Sequence, residues 1–455
     1  MVSNWTLMRL ADVIEQVIDN RGRNPESYTE VGIPVIDNVL IKSQGVIDLS
    51  MARRFINQKT YDTFLRKYLE PDDVLLTLVG NGYGQVAITP NDTCTIIQNT
   101  IGLRCKEGFS NKYLYYLLKF NLSILRNLDR GAAQPSIKVG DILDLEFHFP
   151  DFSNQTSISE ILYILDKKIN LNNQINQTLE KMSQTLFKSW FVDFDPVIDN
   201  ALDAGHPIPE ALQSRAELRQ KVRNSADFKP LPTDIRALFP AEFEEMELGW
   251  VPRGWKEGSI PDIAFINSTS WGTKNQPDYV NYVDLSNTKD GIISSIEEIP
   301  FEDAPSRARR ILKKDDLIFG LVRPANRSFA YVHVDGLTGS TGFAVVRSKN
   351  TIYKNFIYYF VTCDKNVEEL ARIADGGAYP AIKPDDICSL PLIIPPEEIV
   401  QRFDESTSNF RDLMNNSLVQ NDHLTSLRDT LLPKLISGEL SLEDLPDLVT
   451  QTEPA

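Results

Sequence analysis

The sequence predicts an α+β fold: two mostly β domains related by pseudo-twofold symmetry, each followed by a long helix, with the two helices pairing as a coiled coil. Three observations predict it. The block Pro71-Asp72-Asp73-Val74-Leu75-Leu76-Thr77-Leu78-Val79 returns as Lys314-Asp315-Asp316-Leu317-Ile318-Phe319-Gly320-Leu321-Val322, displaced by 243 residues. Further on, Gly131-Ala132-Ala133-Gln134-Pro135-Ser136-Ile137-Lys138 returns as Gly376-Gly377-Ala378-Tyr379-Pro380-Ala381-Ile382-Lys383, displaced by 245. A heptad stripe follows each copy. Two diverged copies in one polypeptide offer two similar but non-identical surfaces, which suits a bipartite ligand.

Each copy reads as short strands. Val31-Gly32-Ile33-Pro34-Val35-Ile36, residues 74–79, Gln85-Val86-Ala87-Ile88 and residues 142–149 are apolar or alternating runs punctuated by Gly, Pro, Asn and Asp, as are residues 317–322, 329–334, 343–346 and 387–394. One helix per copy is expected, around Lys112-Tyr113-Leu114-Tyr115-Tyr116-Leu117-Leu118 and Asn355-Phe356-Ile357-Tyr358-Tyr359-Phe360-Val361, with their aromatic stripes in the core. The domains are therefore placed at residues 1–152 and 246–396, the long helices at 153–192 and 397–440, a Pro-containing linker at 193–245 with a short helix over residues 210–223, and an acidic tail at 441–455.

Steps of three and four along the first long helix mark a seam at Ile158, Ile161, Leu165, Lys168, Asn172, Ile175, Leu179, Met182 and Leu186. Its counterpart runs Phe410, Leu413, Ser417, Gln420, Leu424, Leu427 and Leu431. Both seams turn polar near the same point, Asn172 aligning with Ser417; a polar seam residue weakens a coiled coil but fixes its register. A helix of about 33 residues is roughly 50 Å long, enough for a spacer.

Composition excludes several classes. The 455 residues suit about three domains of ordinary size, and 42% hydrophobic with 24% charged residues is ordinary globular usage. No apolar stretch is long enough to span a bilayer, and Met1-Val2-Ser3-Asn4-Trp5 lacks a signal layout, so a cytoplasmic, membrane-free protein is expected. Cys94, Cys105, Cys363 and Cys388 form no C-x-x-C pair and read as buried thiols. The net charge of -16 lies mostly outside the copies: residues 151–245 carry -5 and residues 396–455 carry -8. Nearly neutral binding domains imply weak DNA affinity without a basic partner.

Catalytic motifs are missing from the sequence: it has no phosphate loop, no H-E-x-x-H, no G-x-S-x-G and no Asn/Asp-Pro-Pro-Tyr/Phe motif for a flipped adenine. Gly80-Asn81-Gly82-Tyr83-Gly84 reads as a strand turn. His148, His206, His333 and His423 are scattered singly, with no metal spacing. No catalytic and no metal-binding residue is assigned.

Two motifs carry a family resemblance. Residues 179–197, Leu-Glu-Lys-Met-Ser-Gln-Thr-Leu-Phe-Lys-Ser-Trp-Phe-Val-Asp-Phe-Asp-Pro-Val, resemble the end of the central conserved helix in specificity (S) subunits of Type I restriction-modification enzymes. Residues 427–440, Leu-Arg-Asp-Thr-Leu-Leu-Pro-Lys-Leu-Ile-Ser-Gly-Glu-Leu, resemble that family's terminal conserved region. The two copies resemble its target-recognition domains, the first departing at Asn99-Thr100-Ile101-Gly102 and Ala133-Gln134-Pro135. The resemblance implies a non-catalytic subunit whose domains each read half of an asymmetric bipartite sequence in double-stranded DNA. It also implies an antiparallel helix pair that sets the gap, two modification (methyltransferase) subunits and separate restriction subunits. S-adenosylmethionine, ATP and Mg would sit on those partners, with no cofactor on this chain. A self-contained DNA-modifying enzyme and a protein-binding scaffold that has lost DNA recognition are the alternatives.

Arginine suits guanine and Asn or Gln suits adenine, while Lys and Ser mostly hold phosphate. Candidate DNA contacts are Arg21, Arg23, Asn24, Lys42, Arg53, Arg54, Asn81 and Tyr83 in the first copy. In the second they are Trp271, Lys274, Arg307, Arg309, Arg310, Arg323, Asn326 and Arg327.

Overall fold

The repeated Asp-Asp pair builds the same local structure twice. Asp72 and Asp315 turn the chain in the left-handed region, at φ 65° and 73°. The next aspartates, Asp73 and Asp316, are almost fully buried. Asp73 accepts from Nε and Nη2 of Arg104 at 2.9 and 2.8 Å; Asp316 accepts from the same atoms of Arg347 at 2.8 and 2.7 Å. Each also caps the turn before it, accepting from the backbone of Glu70 at 2.7 Å or Lys313 at 2.8 Å. A planar guanidinium on a carboxylate neutralises a charge that burial would otherwise penalise heavily. That is why the block survives in both copies.

The computed structural model describes residues 5–22, 25–41, 45, 47–80, 82–129, 135–374 and 380–441. Contacts divide the chain into two units, residues 1–174 with 417–455, and residues 175–416. In the first unit a four-stranded antiparallel sheet runs Ile14–Ile18, Thr100–Cys105, Val74–Thr77, Val86–Ile88, and a three-stranded sheet places Ile33–Ile36 between Phe55–Ile56 and a parallel partner, Thr95–Ile96. The second unit repeats both. Ala264–Ile266, Phe343–Ser348, Leu317–Gly320 and Phe329–Tyr331 form one sheet. In the other, Tyr279–Val283 lies between Glu297–Pro300 and the parallel Leu337–Ser340, and Ala308–Ile311 forms the far edge. The repeat in sequence is thus a repeat in topology, including its one parallel pairing.

Several expectations need correcting. Residues 142–149 and 387–394 are not continuous strands: short helices Val139–Leu143 and Pro384–Cys388 come first, then strands Glu146–Phe149 and Leu392–Ile394. A turn of apolar helix and a strand are indistinguishable over so short a run. Each copy has two successive helices rather than one, Asn111–Phe120 with Leu122–Asn127, and Lys354–Thr362 with Asp364–Ala374. Their aromatics lie in the core as expected, Tyr113 to Leu118 and Phe356 to Val361 being buried. The linker folds into helices Asp195–Ala204 and Gln213–Arg223. Arg215 and Arg219 clamp Asp195 and Asp199 between them at 2.7 to 2.9 Å.

The long helices span Phe152–Phe191 and Glu397–Ser437. Residues 152–174 of the first and 417–437 of the second belong to the first unit, whose core takes Leu431, Leu432, Leu435 and Ile436. Residues 175–191 and 397–416 belong to the second, whose core takes Phe187, Trp190 and Phe403. Phe187 and Trp190 correspond to Leu432 and Leu435 at the displacement of 245.

The predicted seam is one residue out of phase. Met182, Ile175, Leu413 and Leu427 are 49%, 40%, 54% and 42% exposed. Ile161, Leu165, Leu179, Leu186, Ser417 and Leu424 are only half-buried. Asn172 and Leu431 are buried as expected. The buried line runs through Leu162, Asp166, Ile169, Asn172, Ser183, Phe187 and Trp190 in one helix. In the other it runs through Phe403, Thr407, Arg411, Met414, Asn421, Arg428 and Leu432. Counting apolar residues selects the wrong phase because this line holds hydrogen-bonded polar groups. Asn172 donates to Gln420 at 2.8 Å and Asn421 at 2.9 Å, and Asn421 donates to Asn173 at 2.9 Å.

The two family-like motifs have structural jobs. Asp195 is buried, accepting from Ser189 at 2.8 Å as well as from Arg215, after Phe194 has reversed the chain at φ 53°. Gly438 ends the second helix at φ 72°, with the Leu440 amide returning to the Lys434 carbonyl at 3.0 Å.

Candidate functional site

In the first unit the strand Ile33–Ile36 ends at Asp37, whose carboxylate accepts from the Val39 amide at 3.0 Å and holds the following turn. The turn presents Asn38, which donates to the Val79 carbonyl at 3.0 Å and accepts from Thr100 at 3.3 Å. Arg54 lies over the ring of Tyr28 at 5.4 Å. Together with Gln98 and Asn99, these residues line a shallow cavity rich in amides. Asn38, Gln98, Asn99 and Tyr28 were missed by sequence reasoning. The signal was a strand followed by Asp and a turn in both copies, since Asp284 likewise accepts from the Ser286 amide at 3.2 Å.

Of the other first-copy candidates, Arg53 is exposed. Arg21 is folded back onto Asp19 at 2.7 Å, which holds that carboxyl below its usual range. Tyr83 is half-buried, one side packed against the core of the first unit. Arg23, Asn24, Lys42 and Asn81 lie outside the described residues.

In the second unit an arginine cluster lines the edge strand Ala308–Ile311. Arg307 is more than half exposed, donates to the Tyr282 hydroxyl at 3.1 Å and pairs with Asp284 at 3.0 Å. Arg309 lies over Phe301 at 4.7 Å. Arg310 donates to Ser270 at 3.3 Å, while its buried Nε has no protein partner among the described residues. Trp271 joins the cluster through its amide, 2.8 Å from the Arg309 carbonyl, but its indole is committed to Thr338 at 3.0 Å. Lys274 is exposed.

Arg323, Asn326 and Arg327 share a different turn, in which both arginines adopt the left-handed conformation around Pro324–Asn326. Arg323 and Asn326 are exposed. Arg327 pairs with Asp290 at 2.7 Å and Asp364 at 2.8 Å, two partly exposed carboxylates that tie it to the turn.

Burial pushes the thiols of Cys94 and Cys105 up to about 12, whereas Cys363 and Cys388 are only half-buried, a correction to the expectation of four buried thiols. His333 is pushed down to about 4 by burial and then by Arg411, leaving it neutral at pH 7. Among the described residues no three His, Cys, Asp or Glu side chains are grouped to hold a metal, and no helix is long and apolar enough to cross a membrane.

Residues 2–181 match the family model of the Type I restriction modification DNA specificity domain. The chain is 26% identical to the HindI specificity subunit of the Type I restriction enzyme of Haemophilus influenzae, over 96% of this chain and 100% of that protein. It is 24% identical to the MjaIX specificity subunit of Methanocaldococcus jannaschii, over 97% of this chain and 95% of that one. The crystal structure of a Type I restriction-modification S subunit from M. genitalium has a similar fold, with a TM-score of 0.53 at 15% identity, over 95% of this chain and 96% of that one.

Proposed function

We propose that the chain, similar over nearly its whole length to Type I restriction-modification specificity subunits, is such a subunit and that its two units each read one half of an asymmetric bipartite DNA sequence. One observation carries the reading: a single polypeptide builds the same two-sheet unit twice, with different polar side chains exposed on each. The first unit offers amides, at Asn38, Gln98 and Asn99, and the second offers guanidinium groups, at Arg307, Arg309, Arg310 and Arg323. Amides pair with adenine edges and guanidinium with guanine or phosphate.

The long helices act as an antiparallel coiled coil that sets the gap between half-sites. Supporting this, contacts between the helices run in opposite directions: Asp166 meets Arg428 and Asn172 meets Asn421 in the first unit, and Asn176 donates to the Met414 carbonyl at 3.3 Å in the second. Adenine methyltransferase subunits dock along the helices, and restriction subunits join them. Ile164 and Leu171 in the first unit, and separately Ile175 and Met182 in the second, are exposed apolar residues that such a partner would cover. S-adenosylmethionine, ATP and Mg belong to those subunits; in this family the specificity subunit is not itself catalytic.

Co-expression with a cognate Type I methyltransferase subunit, followed by mapping of modified adenines, tests the reading. The expected result is one split motif, with no modification by either protein alone. A contiguous motif, or methylation by this chain alone with S-adenosylmethionine, contradicts it. At residue level, Arg323→Ala in the assembled methylase is expected to cost about 1–3 kcal/mol of DNA binding, concentrated at one base position if the side chain reads guanine and spread evenly with a shallower salt dependence if it holds phosphate. Titration against single-base variants at two salt concentrations separates the two. Arg327→Ala should instead lower the thermal stability of the second unit.

A further inference from the structure

The two helices bury groups of different charge at repeat-equivalent positions. The displacement of 245 takes Asp166 to Arg411 and Ser183 to Arg428, and that of 243 takes Tyr116 to Tyr359. In the first unit Asp166 accepts from the Tyr116 hydroxyl at 2.9 Å and from Arg428 at 2.8 Å, with Lys119 at 3.3 Å. In the second Arg411 donates to Asn355 at 3.1 Å and to the Tyr359 hydroxyl at 3.0 Å, and lies over Tyr331 and Tyr358 at 4.1 and 4.3 Å. The Tyr359 hydroxyl passes the charge on, donating to Glu180 at 3.2 Å. One geometry is thus used twice, with the first helix supplying the anion in the first unit and the second helix supplying the cation in the second.

Like-with-like pairing breaks both arrangements. Two copies of the first helix in the same register set Asp166 against Ser183, with Glu180 one turn away, so the buried carboxylate loses Arg428, keeps only Lys119 and gains a second acid nearby. Two copies of the second set Arg411 against Arg428. A buried charge left unpaired or facing its own sign is strongly disfavoured. The asparagines do not discriminate, because an amide both donates and accepts: Asn421 is the equivalent of Asn176, so a copy of the first helix would still meet Asn172 with an amide.

We propose that these charges are a matching code that admits pairing between the two different helices and rejects pairing with the same helix of a second copy. The inference rests on the helix pairing proposed above. Discrimination is needed because chain synthesis at about 5–20 residues per second leaves the first helix without its partner for roughly 10–40 s, beside other nascent chains.

Two full-length variants test it by size-exclusion chromatography with light scattering. In Ser183→Arg/Arg428→Asp the charges clash within a chain and match between copies of each helix. In Lys119→Thr/Asp166→Arg/Arg428→Asp they match again within the chain, with Thr at 119 copying Thr362 of the second unit. The first is expected to run at about twice the mass of the wild type and the second at its mass, with a cooperative melt. A first variant at wild-type mass, folded or not, overturns the proposal, as does a second variant that fails to fold, since sign matching would then not be what decides pairing. Neither readout needs DNA, so failure here leaves the DNA reading standing, and a chain that reads no DNA still gives an answer.

Discussion

Asp316→Ala is expected to destabilise the second unit by about 3–5 kcal/mol, the usual cost of breaking a buried ion pair. The aspartate is 1% exposed and takes two bonds from Arg347, which itself reaches the Ile311 carbonyl at 3.2 Å. Removing it strips the guanidinium of its counter-charge and uncaps the turn at Lys313. Asp73→Ala should do the same to the first unit through Arg104. Urea denaturation followed by limited proteolysis should show each variant opening its own unit first. Equal protection of both units in either variant would mean that the repeated block does not hold the units separately. Asp316→Asn keeps the cap and one bond and should cost less.

Matched insertions of seven residues after Asn173 and after Leu418 should lengthen the unspecified gap of the methylated motif and leave both half-sites unchanged. Seven residues preserve the heptad phase, whichever line of side chains is buried, and add about 10 Å to each helix, roughly three base pairs of duplex. The modified motif from cells carrying the insertion reads the gap directly. An unchanged gap in an active, folded protein would remove the helices as the ruler.

The repeat and the resemblance made most of the architecture legible, because strand edges, the Asp-Asp turns and the aromatic helices recur at fixed displacement. The seam phase was not legible. Apolar Ile175, Met182, Leu413 and Leu427 advertise a stripe, yet the positions one residue on carry Asn176, Ser183, Met414 and Arg428, and a polar residue becomes a core residue only when its partner is known. Arg428 and Asp166 are separated by 262 residues in sequence, as Arg411 and Asn355 are by 56. The site failed for the same reason. Arg323 and Arg327 look alike in the string Arg323-Pro324-Ala325-Asn326-Arg327, and nothing in that string shows that Asp290 and Asp364 hold Arg327. Asn38 was overlooked because a single amide after a strand is ordinary until the turn at Gln98-Asn99 is brought beside it.

Mapping modified adenines for a chain whose residues 246–395 are exchanged for the matching segment of a relative, beside the parent chain, tests the central claim most directly. If the two units read DNA independently, one half of the split motif changes to the relative's and the other half and the gap stay as they were. A change in both halves, or in neither while methylation persists, would contradict the assignment of one half-site to each unit.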